Sequence, residues 1–200
     1  MAPVPAGRRA ANHAAARSEI LDAARAAAAE HGLAGLRMRD LGARVGMRAQ
    51  SIYTYFPSKG AILDALFRQG NEAFIEWMTD GDPGTTVDPS ERARVGAHRY
   101  FAFCVADPVR HQLLFQRTVP DFTPSEESYA VAVRAYEVGF APLVALGATG
   151  EDLDLASALV GGLVAQQLAN DPGGDRWARL VDRAVDLIIT TVTDRNGRTT

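Results

Sequence analysis

From Ala14 onward, apolar residues recur at intervals of three and four, and no stretch sustains the apolar–polar alternation of a strand with one wet face. A chain patterned this way hides its apolar side chains by packing helices on helices. The breaks are as informative as the stripes. Gly32 ends a first run, 14–31, whose Ile20, Leu21, Ala24, Ala27 and Ala28 share a face. Two short helical stretches follow, 38–45 and about 48–55, parted by Gly46-Met47. Ser58 is placed to cap a longer helix with Leu63, Leu66, Phe67, Gly70, Phe74 and Trp77 on its buried side. The span 80–88, with two glycines, a proline and two threonines, reads as a linker. Asp88-Pro89-Ser90-Glu91 and Thr123-Pro124-Ser125-Glu126 each combine a cap residue, proline at the first helical position and glutamate at the third. They predict helices over about 89–106 and 125–146, the second kinked or ended near Pro142, with another over 108–117 between them. Two more span about 151–169 and 175–194, and Met1–His13 reads as a mobile tail. The expected fold is all-α with about nine helices. A three-helix domain with a helix-turn-helix occupies 14–74, and a larger helical domain occupies 88–195.

Composition narrows the function. With 47% apolar and 22% charged residues over 200 positions, the chain can bury a sizeable core. Its longest uncharged run, 155–170, includes Ser157, Gln166 and Gln167 and is too short and polar to span a membrane. Cys104 is the single cysteine, which fits a reducing cytoplasm, and no secretory signal is evident. There is no phosphate-cradling glycine loop, no His-x-x-x-His, no Cys-x-x-Cys and no nucleophile elbow, so neither an enzyme nor a metal or cofactor site is expected.

Charge is divided unevenly. Residues 1–60 carry nine basic and four acidic side chains, a balance of +5, while 61–200 carry twelve and twenty, a balance of -8. A basic first third suggests a polyanionic partner there and none for the remainder. Within that third, the two short helices broken by glycine form a helix-turn-helix pattern over about 37–56. Ile20, Leu41, Val45, Met47, Ile52 and Phe56 are spaced to supply its core. What stays exposed on the second short helix is Arg48, Ala49, Gln50, Ser51 and Thr54. Arginine can pair bidentately with guanine and glutamine with adenine in a major groove, and alanine lets the helix sit deep. Arg37, Arg39, Arg44, Tyr53, Tyr55 and Lys59 lie around them, suited to phosphates. Arg44 serves equally well as a solvated surface residue, and Arg8 and Arg9 either reach a neighbouring groove or stay inert.

These residues resemble the TetR-type transcriptional regulators. The likeness runs from Ile20-Leu21-Asp22-Ala23-Ala24 through Glu30-His31-Gly32, Arg39-Asp40-Leu41 and Gly46-Met47 to Ile52-Tyr53-Thr54-Tyr55-Phe56 and Ser58-Lys59. The resemblance implies that Arg48 and Gln50 read bases, that Tyr53 and Tyr55 hold the backbone and that Lys59 meets a phosphate. Family members usually have Ser or Thr at position 48, often Gly at 50 and usually Thr at 37, so no base preference carries over. Ala28 stands where a bulky residue is usual. The resemblance also implies a small-molecule effector, and two copies of the reading helix held at a fixed separation would call for a palindromic duplex operator. An aromatic set, Trp77, Tyr100, Phe101, Phe103, Phe115, Tyr136 and Phe140 with His98, is the candidate apolar pocket. Ala158–Ala165 is similar to a tryptophan-histidine-glycine segment of one subgroup, with Gly161-Gly162 at its last two positions and the tryptophan absent.

The last two helices carry apolar residues on several sides, which a second copy would cover. Leu155, Leu159, Gly162, Leu163 and Gln166 on one helix, with Trp177, Val181, Val185 and Ile188 on the other, are the expected homodimer seam. The function expected is a homodimeric, ligand-released DNA-binding repressor. The alternative is a helical ligand-binding or interaction protein without operator binding.

Overall fold

Local chemistry at the helix ends accounts for most element boundaries. The computed structural model describes residues 6–198, and among them it contains nine α-helices, one 3-10 turn and no strand. The helices are α1 (Ala6–His31), α2 (Met38–Arg44), α3 (Ala49–Tyr55), α4 (Lys59–Asp80), α5 (Pro89–Ala106), α6 (Pro108–Phe115), α7 (Glu126–Ala145), α8 (Gly150–Asn170) and α9 (Val181–Arg198). Gly32 closes α1 in the left-handed region at φ 71°. The Ser58 hydroxyl accepts the Ala61 N–H at 3.1 Å, and Asp88 accepts the Ser90 N–H at 2.8 Å, as their positions predict.

Other ends differ from expectation. α1 begins at Ala6, so most of the expected tail is helical; Met1–Pro5 lie outside the described residues. α7 starts at Glu126, because Ser125 rather than Thr123 accepts the free N–H of Ser128 at 3.2 Å. It continues through Pro142 to Ala145. Proline forfeits one backbone bond there, and Leu143 beside it is buried. The expected helix 175–194 is a 3-10 turn, Ala178–Leu180, followed by α9. Gln167 sets this entry by accepting the Trp177 N–H at 3.0 Å, while Asp171 accepts the Arg176 N–H at 2.9 Å.

The chain divides into two units, and the division does not fall at the 80–88 linker. One unit takes the residues up to Gly70 together with 112–129; the other takes 71–111 and 130 onward. In the first unit, α1–α3 pack on a core of Ile20, Leu41, Ile52, Phe56, Ile62 and Leu63. Residues 112–129 join it through the start of α4. A Cβ on Gly70 would lie 3.0 Å from Leu114, and the Phe67 and Phe122 rings meet edge to face at 6.1 Å. Asp64 accepts the Ser125 N–H at 2.7 Å, the Ser125 hydroxyl at 3.0 Å and the Ser128 hydroxyl at 2.9 Å.

The second unit is centred on Phe101, Cys104, Val160, Val164, Val181, Val185, Ile188 and Val192. Asp152 fastens the start of α8: its carboxylate accepts the Thr149 N–H at 2.6 Å and pairs with Arg195 of α9. The Thr149 N–H, then Arg195, hold that carboxyl down at about 2. No single helix among the described residues is long and apolar enough to cross a membrane.

Candidate nucleic-acid interface

Two glycines make the turn between α2 and α3. Gly46 adopts φ 65°, a conformation that side chains resist. Gly42 serves by close approach: a Cβ there would stand 2.8 Å from the Met47 carbonyl oxygen and 3.2 Å from the Ala49 nitrogen. Arg48 is the N-cap of α3 rather than its first helical residue, and its carbonyl accepts the Ser51 N–H at 2.8 Å.

α3 then separates its residues cleanly. Ile52 and the following Phe56 are fully buried, which fixes the rotation of the helix against the core. Arg48, Gln50, Ser51, Tyr53 and Thr54 are exposed, and Ala49 is half-buried. On α2 and its entry, Arg37 and Arg39 are exposed, and Arg39 approaches Asp40 at 3.7 Å. Tyr55 is half-buried with its ring 4.9 Å from that of His13. Arg44 is taken up by a two-pronged ion pair with Glu30, which holds the Glu30 carboxyl below its ordinary value. Lys59 donates to the Ala34 carbonyl at 2.7 Å, and partial burial lowers its pKa. One of its three protons is thereby committed to tying the start of α4 to the loop after α1, leaving two for other acceptors.

Two contributors are absent from the pattern of the motif itself. Arg17 of α1 donates to the Tyr55 carbonyl, and its guanidinium sits 4.0 Å over the Phe56 ring. His13 stands one helical turn before it, and that i, i+4 spacing is the only sequence signal they share.

The aromatic set of the pocket expectation is dispersed. Phe101 and Phe103 are buried, whereas Trp77 and Tyr136 are exposed at 41% and 48%. His98 turns to Asp182 at 2.8 Å. The Trp77 indole donates to the Arg99 carbonyl at 3.0 Å and lies under the Arg99 guanidinium. Phe74, which the expectation omitted, meets Tyr100 at 6.2 Å and Phe103 at 5.1 Å; Tyr136 meets Phe140 at 4.6 Å. Phe115 belongs to the first unit, where it lines a groove of about 620 Å³ with Leu114, Arg117, Phe122, Pro124 and Tyr129.

The seam expectation is corrected in part. Val181, Val185 and Ile188 are at most 2% exposed and face the core of their own unit, because only that face of α9 meets α5 and α8. Trp177 is half-buried before the 3-10 turn. On α8, Leu155, Gly162 and Gln166 are exposed, and Leu159 and Leu163 are half-buried. Ala158, Ala165 and Ala169 continue that outward face, and Leu187 of α9 is 56% exposed.

A glycine-turned pair of short helices, the second presenting arginine, glutamine and hydroxyls over a buried Ile52, defines a helix-turn-helix domain of the DNA-reading kind. Residues 20–66 match the family model described as bacterial regulatory proteins, tetR family. The segment that carries the helix-turn-helix is thus of the TetR type. It is 26% identical over 136 residues to the HTH-type transcriptional regulator Rv1816 of Mycobacterium tuberculosis. That match covers 67% of this chain and 58% of the relative's length. In fold it is similar to the TetR family transcriptional regulator PfmR from Thermus thermophilus, at 18% identity and TM-score 0.64, covering 85% of this chain and 96% of that one. It is also similar to the transcriptional regulator FadR from Bacillus subtilis in complex with stearoyl-CoA, at 20% identity and TM-score 0.63, covering 86% and 97%.

Proposed function

We propose that this chain is a sequence-specific DNA-binding transcriptional regulator acting as a homodimeric repressor on a palindromic operator. The observation that carries the proposal is the face of α3, where Arg48, Gln50, Ser51 and Thr54 point outward over the fully buried Ile52. In this reading Arg48 and Gln50 read base edges, and Ala49 and Ser51 line the approach. Arg37, Arg39, Tyr53, Tyr55 and Lys59 hold the phosphate backbone. A two-fold pair of such helices fits half-sites one helical turn apart. The second copy would bury the outward face of α8, from Leu155 through Gly162 to Gln166, together with Leu187 of α9.

A small apolar or aromatic effector acting on the second unit is the proposed release signal. The Phe74, Tyr100 and Phe103 rings beside the Arg110 guanidinium, 3.7 Å over Phe103, support an apolar body with one acceptor. Release requires that the effector bind the two states unequally, with coupling typically of about 1–3 kcal/mol.

A mobility shift on the gene's own upstream DNA, run at two salt concentrations, tests the reading. The expected result is a retarded complex with affinity of about 10 nM or tighter that weakens steeply with salt. Indifference to every genomic fragment, or a protein that stays monomeric at micromolar concentration, would overturn it.

A further inference from the structure

α7 leaves more large apolar side chains exposed than any other helix among the described residues. Val133, Tyr136 and Val144 are 41%, 48% and 55% exposed, and the half-buried Phe140 has its ring 4.6 Å from that of Tyr136. At the helical repeat these four fall within an arc of about 80°, in a stripe about 17 Å long. The side of α7 that meets its own core is a different one, carried by Ala135 and Leu143. Exposed apolar side chains scattered singly are ordinary, but four in register on one helix mark a surface that something covers.

The order of residues indicates what covers it. The stripe is close to symmetric about Tyr136, with Val133 three positions before it and Phe140 four after. Arg134 and Glu137, both exposed, stand on one flank of the stripe, two positions before Tyr136 and one after. Neither forms an ion pair among the described residues. A two-fold axis crossing α7 at Tyr136 lays a second α7 antiparallel on the first and sets like flank against like flank. Arg134 of one copy then meets Glu137 of the other, twice over, and Val133 of one copy meets Phe140 of the other. Each match is within one residue, about 1.5 Å along the helix. This reciprocity is what an interface on a two-fold axis requires. A parallel pair would set the charged flank against the bare one. Four side chains per helix bury well under the about 800 Å² per partner of a standard interface, so this pairing is weak and suits molecules that are already dimers.

We propose that the outward stripe of α7, from Val133 to Val144, is a second self-association surface, on which one dimer docks antiparallel against α7 of another. The partner is a second copy of this chain. The inference rests on the reading above in which the outward face of α8 forms the dimer, and it adds a distinct contact between dimers. Two dimers joined in this way carry four copies of α3.

Sedimentation velocity on the full chain tests this from about 1 to about 200 µM, the range of weak association. The expected result is a dimer at the low end and larger species, tetramers first, at the high end. Tyr136→Arg sets two cations on the axis and is expected to weaken the larger species at least about tenfold while the dimer remains. Its melting temperature should not move, because the side chain is exposed. Glu137→Arg exchanges two exposed ion pairs for repulsion and is expected to weaken them by about threefold to thirtyfold. The double variant Arg134→Glu, Glu137→Arg restores the complementarity and should recover the native association, a rescue that only a self-pairing face gives. Leu155→Arg on α8 is expected to break the dimer. A full chain that stays dimeric over the whole range sinks the inference and leaves the α8 seam standing. If the double variant stays as weak as Glu137→Arg, the antiparallel register is wrong. If Tyr136→Arg yields monomers while Leu155→Arg leaves dimers, α7 is itself the dimer seam, and both the second surface and the α8 seam fall. A full chain that is monomeric throughout removes both as well.

Discussion

α3 and α9 are both amphipathic helices, but their apolar residues do different work. In α3, a helix of seven residues, Ile52 alone anchors the element and nearly everything else faces out, so burial and function are separated residue by residue. In α9 the buried set is long, Val181, Ala184, Val185, Ile188 and Val192, and the exposed Leu187 lies directly beside Ile188. A short helix offers few alternative rotations, whereas a long one with apolar residues on several faces admits more than one. The helix-turn-helix could therefore be oriented from its sequence, and the last two helices could not.

The largest effect is expected at the core of the second unit. Ile188→Ala should cost about 2–5 kcal/mol of stability by thermal or denaturant melting, the price of a cavity at a fully packed position. The same truncation at the exposed Gln50 should leave the melt unchanged. A small effect at Ile188 would mean that α9 turns another face inward.

Asp152→Asn should cost about 1–3 kcal/mol, since it removes the charge-assisted bonds to the Thr149 N–H and Arg195. The native carboxyl is held at about 2 against an ordinary 3.8, so its contribution is complete above the ordinary value. That contribution is lost as pH falls from about 4 towards 2. Acid titration of the melt should show this loss in the native chain and a flatter profile in the asparagine variant.

On α3, Arg48→Ala or Gln50→Ala should weaken operator binding by about 1–3 kcal/mol and relax preference at one or two base pairs, with no change in the melt. Lys59→Ala should weaken all duplexes by about 1 kcal/mol with a shallower salt slope. A change in sequence preference there would remove its assignment to phosphate. The smallest effect on the protomer is expected at Leu187, where alanine should cost less than about 1 kcal/mol in the melt. It should nonetheless raise the protein concentration needed for self-association in sedimentation, which sharpens the distinction between the two faces of α9.

How much was legible depended on the range of the interactions involved. Ser58 and Asp88 act on N–H groups two or three residues away, and both caps are visible in the sequence. Ser125 displaced Thr123 as the cap of α7 because Asp64, sixty-one residues distant, accepts its N–H and hydroxyl. The start of α1 differs from expectation because an alanine-rich stretch without an apolar stripe has the pattern of a tail. Helix propensity alone extends it to Ala6. The pocket expectation gathered aromatic residues by type, yet exposure separates Trp77 and Tyr136 from Phe101 and Phe103.

By itself, the sequence determined that the chain is helical, where its turns break, that its first third is basic and which residues α3 would present. Each of these is written within a few residues along the chain, in periodicity, capping and charge. Long-range packing selects the rest: residues 112–129 join the first unit, α9 buries Val181, Val185 and Ile188, and Arg17 fastens α1 to the end of α3. Those outcomes depend on which of several compatible surfaces meet, and contacts between residues far apart in sequence select among surfaces that periodicity leaves equivalent.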